Sequence, residues 1–194
     1  MLISKNIVSP QSNKPVIGIV QDALLGCFRI AHKDVFLTKA EFMNIMMALR
    51  ETNFKVPIPT ILLPEPLWTG KQVYDLIMPD INFNRNCSFH AEGDTKSFSK
   101  DDSEVIIRKG KLLSGQVCKK SLGTSEGSII HTIWLQHGSE EANKFISGIQ
   151  FLVNSWLVNT GFSIGAVDIF TKTDIQDKVK NCIVDAKEKA KQII

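Results

Sequence analysis

The sequence predicts an α+β fold in which a mixed α/β domain with short strands and a hairpin is followed by a helical segment. Two long amphipathic patterns with capping residues fill the C-terminal part, from Ser139 onward. The proline-rich stretch VPIPTILLPEPLW, residues 56–68, excludes a helix and requires an extended connection. The run EVIIRKGKLLSGQVC, residues 104–118, predicts two β-segments around Lys109-Gly110.

The composition is that of an ordinary soluble globular protein with one large domain or two small ones. The chain has 194 residues, of which 43% are hydrophobic and 22% charged, and its net charge is +3. This charge permits a polyanionic partner without arguing for one, because nucleic-acid binders usually concentrate far more charge. Met1–Pro15 lacks the apolar region of a secretory signal, and no stretch resembles a membrane span.

The four cysteines stand far apart, without the short spacing of a zinc site or a redox motif. They are therefore predicted to be reduced, buried thiols of an intracellular protein. The segment Cys87-Ser-Phe-His90 could supply half of a metal site. Because the chain offers no second half, we expect no metal and no cofactor here.

The first elements are expected within VIGIVQDALLGCF, residues 16–28. A short strand over Val16–Val20 should run into a helix from Asp22, which Gly26 weakens. Gln21 is a polar residue between two apolar runs. Its side chain either meets a backbone partner or faces a functional cavity.

A second helix begins at a capping box, in which Thr38 is the N-cap and Glu41 follows three residues later. Its core-facing stripe consists of Phe42, Ile45, Met46 and Leu49.

The segment LWTGKQ, residues 67–72, allows two interpretations. A phosphate loop would need a glycine where the chain has Glu65, and Ser or Thr after Lys71 where it has Gln72. A free-standing phosphate- or nucleotide-binding enzyme that uses the helix N-terminus at Thr69–Gln72 is thus the alternative hypothesis.

The structural interpretation of the same segment explains more of its residues. Thr69 and Gln72 form another capping box, and Trp68 with Val73 forms a hydrophobic staple. The helix should run to about Met78 and stop at Pro79.

Residues 80–103 are polar and irregular and predict a surface excursion, in which the DDSE carboxylates belong to a solvated loop. Gly110 suits the turn of the hairpin that follows, since glycine readily adopts the positive φ of a tight turn.

The hairpin leads to two adjacent lysines, Lys119 and Lys120. Within a strand they would point to opposite faces, but both can aim the same way if the strand ends near Cys118 and the chain turns. Gly123–Gly127 supplies the flexibility for that turn. Two converging cations favour a bound or passing anion; a solvated surface pair is the alternative.

The C-terminal part is predicted to be two helices. Ser139 caps the first, and Gly161 fits the position after its end. The second opens at the capping box Thr173–Gln176, and its lysines make it a candidate protein-interaction module for an acidic partner. Because the pattern runs to Ile193-Ile194, we expect a fragment of a larger protein. The apolar stripe of the first helix comprises Phe145, Ile149, Leu152 and Trp156.

Four phrases resemble the largest subunit of DNA-directed RNA polymerase, most closely the polymerase II type, in family order and over nearly the whole chain. They are IVSPQSNKPVIGIVQD (7–22), PEPLWTGKQ (64–72), CKKSLGTSEGS (118–128) and NSWLVNTGFSIG (154–165). The resemblance implies a pore domain over residues 1–127 and the start of the helical funnel domain over residues 128–194. It also implies a non-catalytic part of a nucleotidyltransferase, located in the nucleus or, for a viral parent, in a cytoplasmic factory.

In that family the pore is the secondary channel through which nucleoside triphosphates enter and the 3′ end of backtracked RNA is extruded. The channel-lining glutamine of the family matches Gln21, and its lysine pair matches Lys119 and Lys120. Other polymerase subunits and transcript-cleavage factors are the implied partners, and template DNA is reached only through the whole enzyme. The NADFDGD loop that holds the catalytic Mg²⁺ is absent, so no catalytic residue is expected in this segment. Ala166-Val167-Asp168 departs from the usual Ile-Gly-Asp and indicates a divergent protist or viral enzyme.

Overall fold

A computed structural model describes residues 2–49, 55–89, 102–170 and 173–193. The chain forms two compact units, Met1–Thr160 and Gly161–Ile194. The first combines helices with small antiparallel sheets, and the second is helical, so the predicted α+β class is confirmed. The predicted boundary between a pore domain and a funnel domain, at residues 127 and 128, stays a prediction.

The strands are β1 Val8–Ser9, β2 Lys14–Pro15, β3 Phe36–Thr38, β4 Leu67–Thr69, β5 Phe83–Asn86, β6 Glu104–Arg108 and β7 Lys111–Ser114. The helices are α1 Gln21–Ile30, α2 Lys39–Met47, α3 Lys71–Tyr74, α4 Lys119–Leu122, α5 Ile129–His137, α6 Ser139–Thr160, α7 Ala166–Ile169 and α8 Thr173–Ile193. The pairings β1–β2 and β3–β4 form two-stranded sheets, and β5, β6 and β7 form a three-stranded sheet.

The N-terminal helix is present, but the predicted strand over Val16–Val20 is wrong. Pairing with the β1 segment ends at Val16, whose N–H donates to the Ile7 carbonyl at 2.9 Å. The Ile19 N–H donates instead to the Leu122 carbonyl at 3.0 Å. Gly26 lies against α6, because a Cβ there would stand 2.3 Å from Val153 Cγ1. The glycine that weakens α1 locally therefore permits its packing.

The capping box at the start of α2 is confirmed. The Glu41 N–H donates to Thr38 Oγ1 at 3.4 Å, and Glu41 Oε2 accepts from the Thr38 N–H at 2.8 Å. The predicted stripe is buried through Phe42, Ile45 and Met46. The first of these stacks on Trp68 of β4, which anchors α2 to the sheet of β3 and β4.

The third helix is shorter than predicted. It covers only Lys71–Tyr74, although turns continue towards Pro79. Half of the predicted capping box exists, since Gln72 Oε1 accepts from the Thr69 N–H at 3.1 Å, but Gly70 occupies the N-cap position. Gly70 presses against α1, and a Cβ there would stand 1.9 Å from the Ile30 carbonyl oxygen.

The hairpin around Lys109 and Gly110 is confirmed. Their φ angles of 49° and 70° are both left-handed, as a two-residue type I′ turn requires. The region predicted as an irregular excursion contains β5, which pairs with β6, and its residues 90–101 lie outside the described part of the chain.

The prediction that the DDSE carboxylates are solvated is wrong for Asp102, while Asp101 lies outside the described residues. Asp102 is buried at 9% exposure and forms an ion pair with Lys71. Its Oδ1 also accepts from the Gly115 N–H at 2.6 Å and from Ser114 Oγ at 3.2 Å. Tertiary contacts supply partners that compensate for the lost hydration of this carboxylate.

The core of the first unit is organised by α6, which contacts α5, α1 and α2. Its predicted stripe is buried in full: Phe145, Ile149, Leu152 and Trp156. Gly161 follows α6 with a φ of 69°, as predicted for the residue after a helix end. In the second unit, α8 confirms the last predicted helix. No helix in the described ranges is both long and apolar enough to span a membrane.

Candidate functional site

The two candidate lysines lie on the four-residue helix α4, beyond the end of β7 at Ser114. The prediction that the strand reaches Cys118 is wrong, but the predicted turn is present there. The backbone of Cys118 is extended, with φ −130° and ψ −176°, and Lys119 begins the helix. Both lysines are exposed.

Neither lysine forms an ion pair within the described ranges, where the four such pairs lie elsewhere. Consecutive helical residues are separated by about 100° around the axis, so the two ammonium groups leave neighbouring parts of one surface. Exposure limits the cost of their mutual repulsion, because water screens it strongly. The pair is thus a local concentration of positive charge that no described carboxylate neutralises.

The backbone that carries the lysines is held on several sides. Ser121 Oγ accepts from the Cys118 N–H at 2.8 Å, which ties down the start of α4. Arg85 of β5 donates from Nη1 to the carbonyl oxygens of Lys120 and Glu126, each at 3.0 Å. Arg85 therefore joins α4 to the Gly/Ser-rich segment that follows. Sequence reasoning missed Arg85, because it lies 35 residues from its first partner.

The segment before Gln21 packs directly against the end of α4. The Ile19 N–H bonds the Leu122 carbonyl, and a Cβ on Gly18 would stand 3.0 Å from the Gly123 carbonyl carbon. The fold thus brings together the backbones of two stretches that were predicted separately as functional.

Gln21 itself is exposed and has a φ of 52°, an uncommon conformation for a residue with a Cβ. It lines an open cleft of about 620 Å³ between α1 and α6, together with Gln150, Asn154 and Leu157. Lys119 and Lys120 do not line this cleft. The chain segments that carry Gln21 and the two lysines are therefore in backbone contact, but the three side chains do not line one cavity.

The alternative phosphate site at Thr69–Gln72 is not supported by the geometry. The Thr69 N–H is bonded to Gln72, and the Gly70 N–H donates to the Val35 carbonyl at 3.1 Å. Lys71 Nζ donates to the Ala31 carbonyl at 2.9 Å and pairs with Asp102. The Thr69 and Gly70 N–H groups and the Lys71 ammonium, which a phosphate loop would direct at its ligand, are therefore engaged within the protein.

Cys87 and Cys118 are both buried. Cys87 Sγ donates to the Gln116 carbonyl at 2.9 Å. His90, the other residue of the predicted half-site, lies outside the described residues. Among the described positions, no group of three or more His, Cys, Asp or Glu residues is placed to hold a metal ion.

Comparison with known proteins agrees with the resemblance in the sequence. The family described as RNA polymerase Rpb1, domain 3, matches residues 6–169. Two curated relatives from Trypanosoma brucei brucei are the DNA-directed RNA polymerase II subunits RPB1-A and RPB1-B, each 39% identical over 193 residues. The match covers 100% of this chain and 10% of each relative.

The chain therefore belongs to the Rpb1 domain 3 family. The predicted membership in the largest subunit of a DNA-directed RNA polymerase of the polymerase II type is confirmed. The chain spans about a tenth of the length of the curated relatives it matches.

Proposed function

We propose that this domain forms part of the wall of the polymerase pore, with Lys119 and Lys120 facing passing phosphates. The observation that carries the proposal is the exposed lysine pair, which has no carboxylate partner in the described ranges and stands on a backbone fixed by Arg85. Nucleoside triphosphates and the 3′ end of backtracked RNA are the anions that would pass it.

The attraction between an exposed lysine and a phosphate is weak enough to let the phosphate pass without being retained. An exposed ammonium and a phosphate oxygen at 4 Å attract by about 1 kcal/mol in water, and physiological salt screens the attraction further beyond about 8 Å. Two lysines would raise the local concentration of phosphates without retaining them. Gln21 is proposed as a neutral channel-lining residue, since its side-chain amide can both donate and accept hydrogen bonds.

The remaining activity belongs to the parent enzyme. We propose that it performs DNA-templated nucleotidyl transfer in the nucleus, or in a cytoplasmic viral factory if the parent is viral. The catalytic Mg²⁺ is proposed to be held outside this segment, which contributes no catalytic residue. Other polymerase subunits and transcript-cleavage factors are its proposed protein partners.

The test is the combined substitution Lys119→Ala with Lys120→Ala in the whole polymerase. Loss of each cation should weaken a phosphate contact by up to about fivefold, which corresponds to about 1 kcal/mol. We expect altered lifetimes of backtracked complexes, measured by single-turnover transcript cleavage and resumption of elongation. Raising the salt concentration should shrink the difference from wild type.

The matched control is Lys14→Ala with Lys39→Ala, which removes the same charge from two other exposed positions. In the 194-residue chain, both double variants should change the free energy of unfolding by less than about 0.5 kcal/mol. Backtracking lifetimes that equal those of wild type, in a stably folded α4 variant, would rule out the channel role of the pair.

A further inference from the structure

The turn of the β6–β7 hairpin carries three cations that have no part in the proposed function. Arg108, Lys109 and Lys111 are all exposed and lie within four positions of the chain. These three residues are called the basic tip below. None of the four ion pairs in the described ranges involves the basic tip. Positive charge therefore collects at one end of this sheet.

The register of the hairpin holds two of these cations directly opposite each other. Arg108 pairs with Lys111 across the strands, so their side chains leave the same face of the sheet. The next pair, Ile107 with Leu112, is buried, so the two cations lie on the face turned away from the core. Like charges directly opposite each other destabilise a sheet. A carboxylate bound between them would remove this repulsion.

The backbone of the basic tip is fixed to the chain before β5. The N–H groups of Lys109 and Gly110 donate to Asn82 Oδ1 and to the Ile81 carbonyl, both at 3.1 Å. A Cβ on Gly110 would stand 2.7 Å from the Pro79 carbonyl oxygen. Because the backbone is already ordered, a partner of the basic tip would not have to order it on binding.

An apolar contact point lies two positions beyond Lys111. Leu113 is 58% exposed and lines a cleft of about 250 Å³ together with Lys33 and Thr69. A strand rises by about 3.3 Å per residue, which puts Leu113 roughly 7 Å along β7 from Lys111. Alternate residues of an extended peptide are separated by the same distance. A peptide with a carboxylate and an apolar side chain two positions apart can therefore reach the tip and the cleft together.

The edge of β7 is engaged, so a partner would not add a further strand there. β7 is an edge strand of its sheet, but the Leu112 N–H donates to Asp75 Oδ1 at 3.2 Å, and α3 packs along β7. The same carboxylate also attracts Lys111, although the two are not among the ion pairs of the described ranges. Contacts to a partner therefore come from the exposed side chains and not from the strand edge.

A nucleic acid fits this surface less well than an acidic polypeptide does. Single-stranded nucleic acids usually bind where their bases can stack on aromatic side chains. No Phe, Tyr or Trp is among the described residues that line the cleft. The net charge of +3 is also small for a nucleic-acid binder. Cations beside an exposed leucine match carboxylates beside an apolar side chain.

We propose that the basic tip and the Leu113 cleft dock an acidic segment of another polypeptide. Its carboxylates bind Arg108 and Lys111, and one of its apolar side chains covers Leu113. The Arg108 guanidinium donates to the Ile107 carbonyl at 3.4 Å and retains further N–H donors for a carboxylate. Docking at the basic tip does not depend on the proposed pore role of α4.

The test measures binding of a defined probe to the 194-residue chain by fluorescence anisotropy at low salt. The probe is a fluorescein-labelled peptide of repeated Asp-Ser-Leu-Ser units, in which each leucine stands two positions from an aspartate. We expect Arg108→Gln with Lys111→Gln to raise Kd at least about tenfold, because two charge contacts worth about fivefold each are lost. If that double variant is unstable, Arg108→Gln alone should raise Kd about fivefold.

The apolar part of the surface is tested separately. Leu113→Ser should raise Kd for the same probe about threefold, because less apolar area is buried. A second probe with serine in place of every leucine should bind wild type and Leu113→Ser equally. An equal loss for both probes would contradict the contact at the cleft.

Two matched variants remove the same charge elsewhere. Lys14→Gln with Lys39→Gln, at other exposed positions, should change Kd by less than about twofold. Lys119→Gln with Lys120→Gln separates the basic tip from the lysine pair on α4, and its effect should be smaller than that of the tip variant. The proposal is overturned if wild type does not bind the probe, or if either matched variant weakens binding as much as the tip variant. It is also overturned if the tip variant weakens binding of an oligouridylate more than binding of the peptide, since the surface would then belong to a nucleic acid.

Discussion

Replacing Trp68 by alanine should be one of the most damaging single changes in the first unit. Trp68 is 4% exposed, and its ring stacks on Phe42 with centroids 5.2 Å apart and planes 16° apart. Its indole N–H donates to the Pro57 carbonyl at 2.9 Å, which fastens the proline-rich connection to β4. The substitution removes all three interactions and leaves a cavity.

The structure places the expected cost in the upper part of the usual range. Truncation of a buried aromatic residue to alanine costs about 3–5 kcal/mol. A stacked aromatic partner adds about 0.5–1.5 kcal/mol beyond burial, and a hydrogen bond about the same. Because these contributions overlap, we expect a loss of about 4–5 kcal/mol. At roughly 2–4 °C per kcal/mol for a chain of this size, Tm should fall by about 8–20 °C.

The assay is urea and thermal unfolding of the 194-residue chain, followed by far-ultraviolet circular dichroism. Trp68→Phe is the matched control, because it retains a ring against Phe42 but loses the N–H donor. Its loss should lie well below that of the alanine variant. An unchanged Tm for Trp68→Ala, or equal losses for the two variants, would refute the inference that stacking and burial anchor β4.

Two further predictions concern packing and pH. Gly26→Ala should destabilise the chain by about 1–3 kcal/mol through overpacking against Val153, which exceeds the gain of up to about 1 kcal/mol in helix propensity. In urea unfolding, the double variant Gly26→Ala with Val153→Ala should lose less stability than the sum of the two single losses. Strict additivity would contradict the contact between residues 26 and 153. Burial raises the pKa of Asp75 from 3.8 to about 6, although the Leu112 N–H bonds its carboxylate. Between these values the folded state holds a proton that the unfolded state has released, so stability falls as pH rises through that window. Asp75→Asn, which keeps the acceptor oxygen, should therefore match wild type near pH 4 and be increasingly more stable towards pH 7; a constant difference between the two proteins would contradict the shift.

Local features of the fold could be predicted because their physics is local. The capping box of Thr38 and Glu41 and the turn at Lys109-Gly110 depend on groups within four residues of each other. The buried stripe of α6 follows from helical periodicity alone. The family could also be identified from sequence, since four long phrases occur in order.

Features that depend on distant residues could not be predicted in this way. Nothing in the sequence around Asp102 indicates that its carboxylate will pair with Lys71. Nothing around Gln21 indicates that its backbone will adopt a positive φ. The strand predicted over Val16–Val20 is absent for the same reason, because the Ile19 N–H donates to the Leu122 carbonyl and not to a neighbouring strand. A hydrogen-bond donor takes whichever partner the fold supplies, and the sequence near it does not name that partner.

The candidate site shows the same division. The sequence by itself determined that Lys119 and Lys120 are adjacent cations. Only the tertiary structure decided that the lysines stand exposed on a short helix held by Arg85. Charge and chemical type are properties of each residue, whereas its burial and its partners depend on the neighbours that folding brings to it.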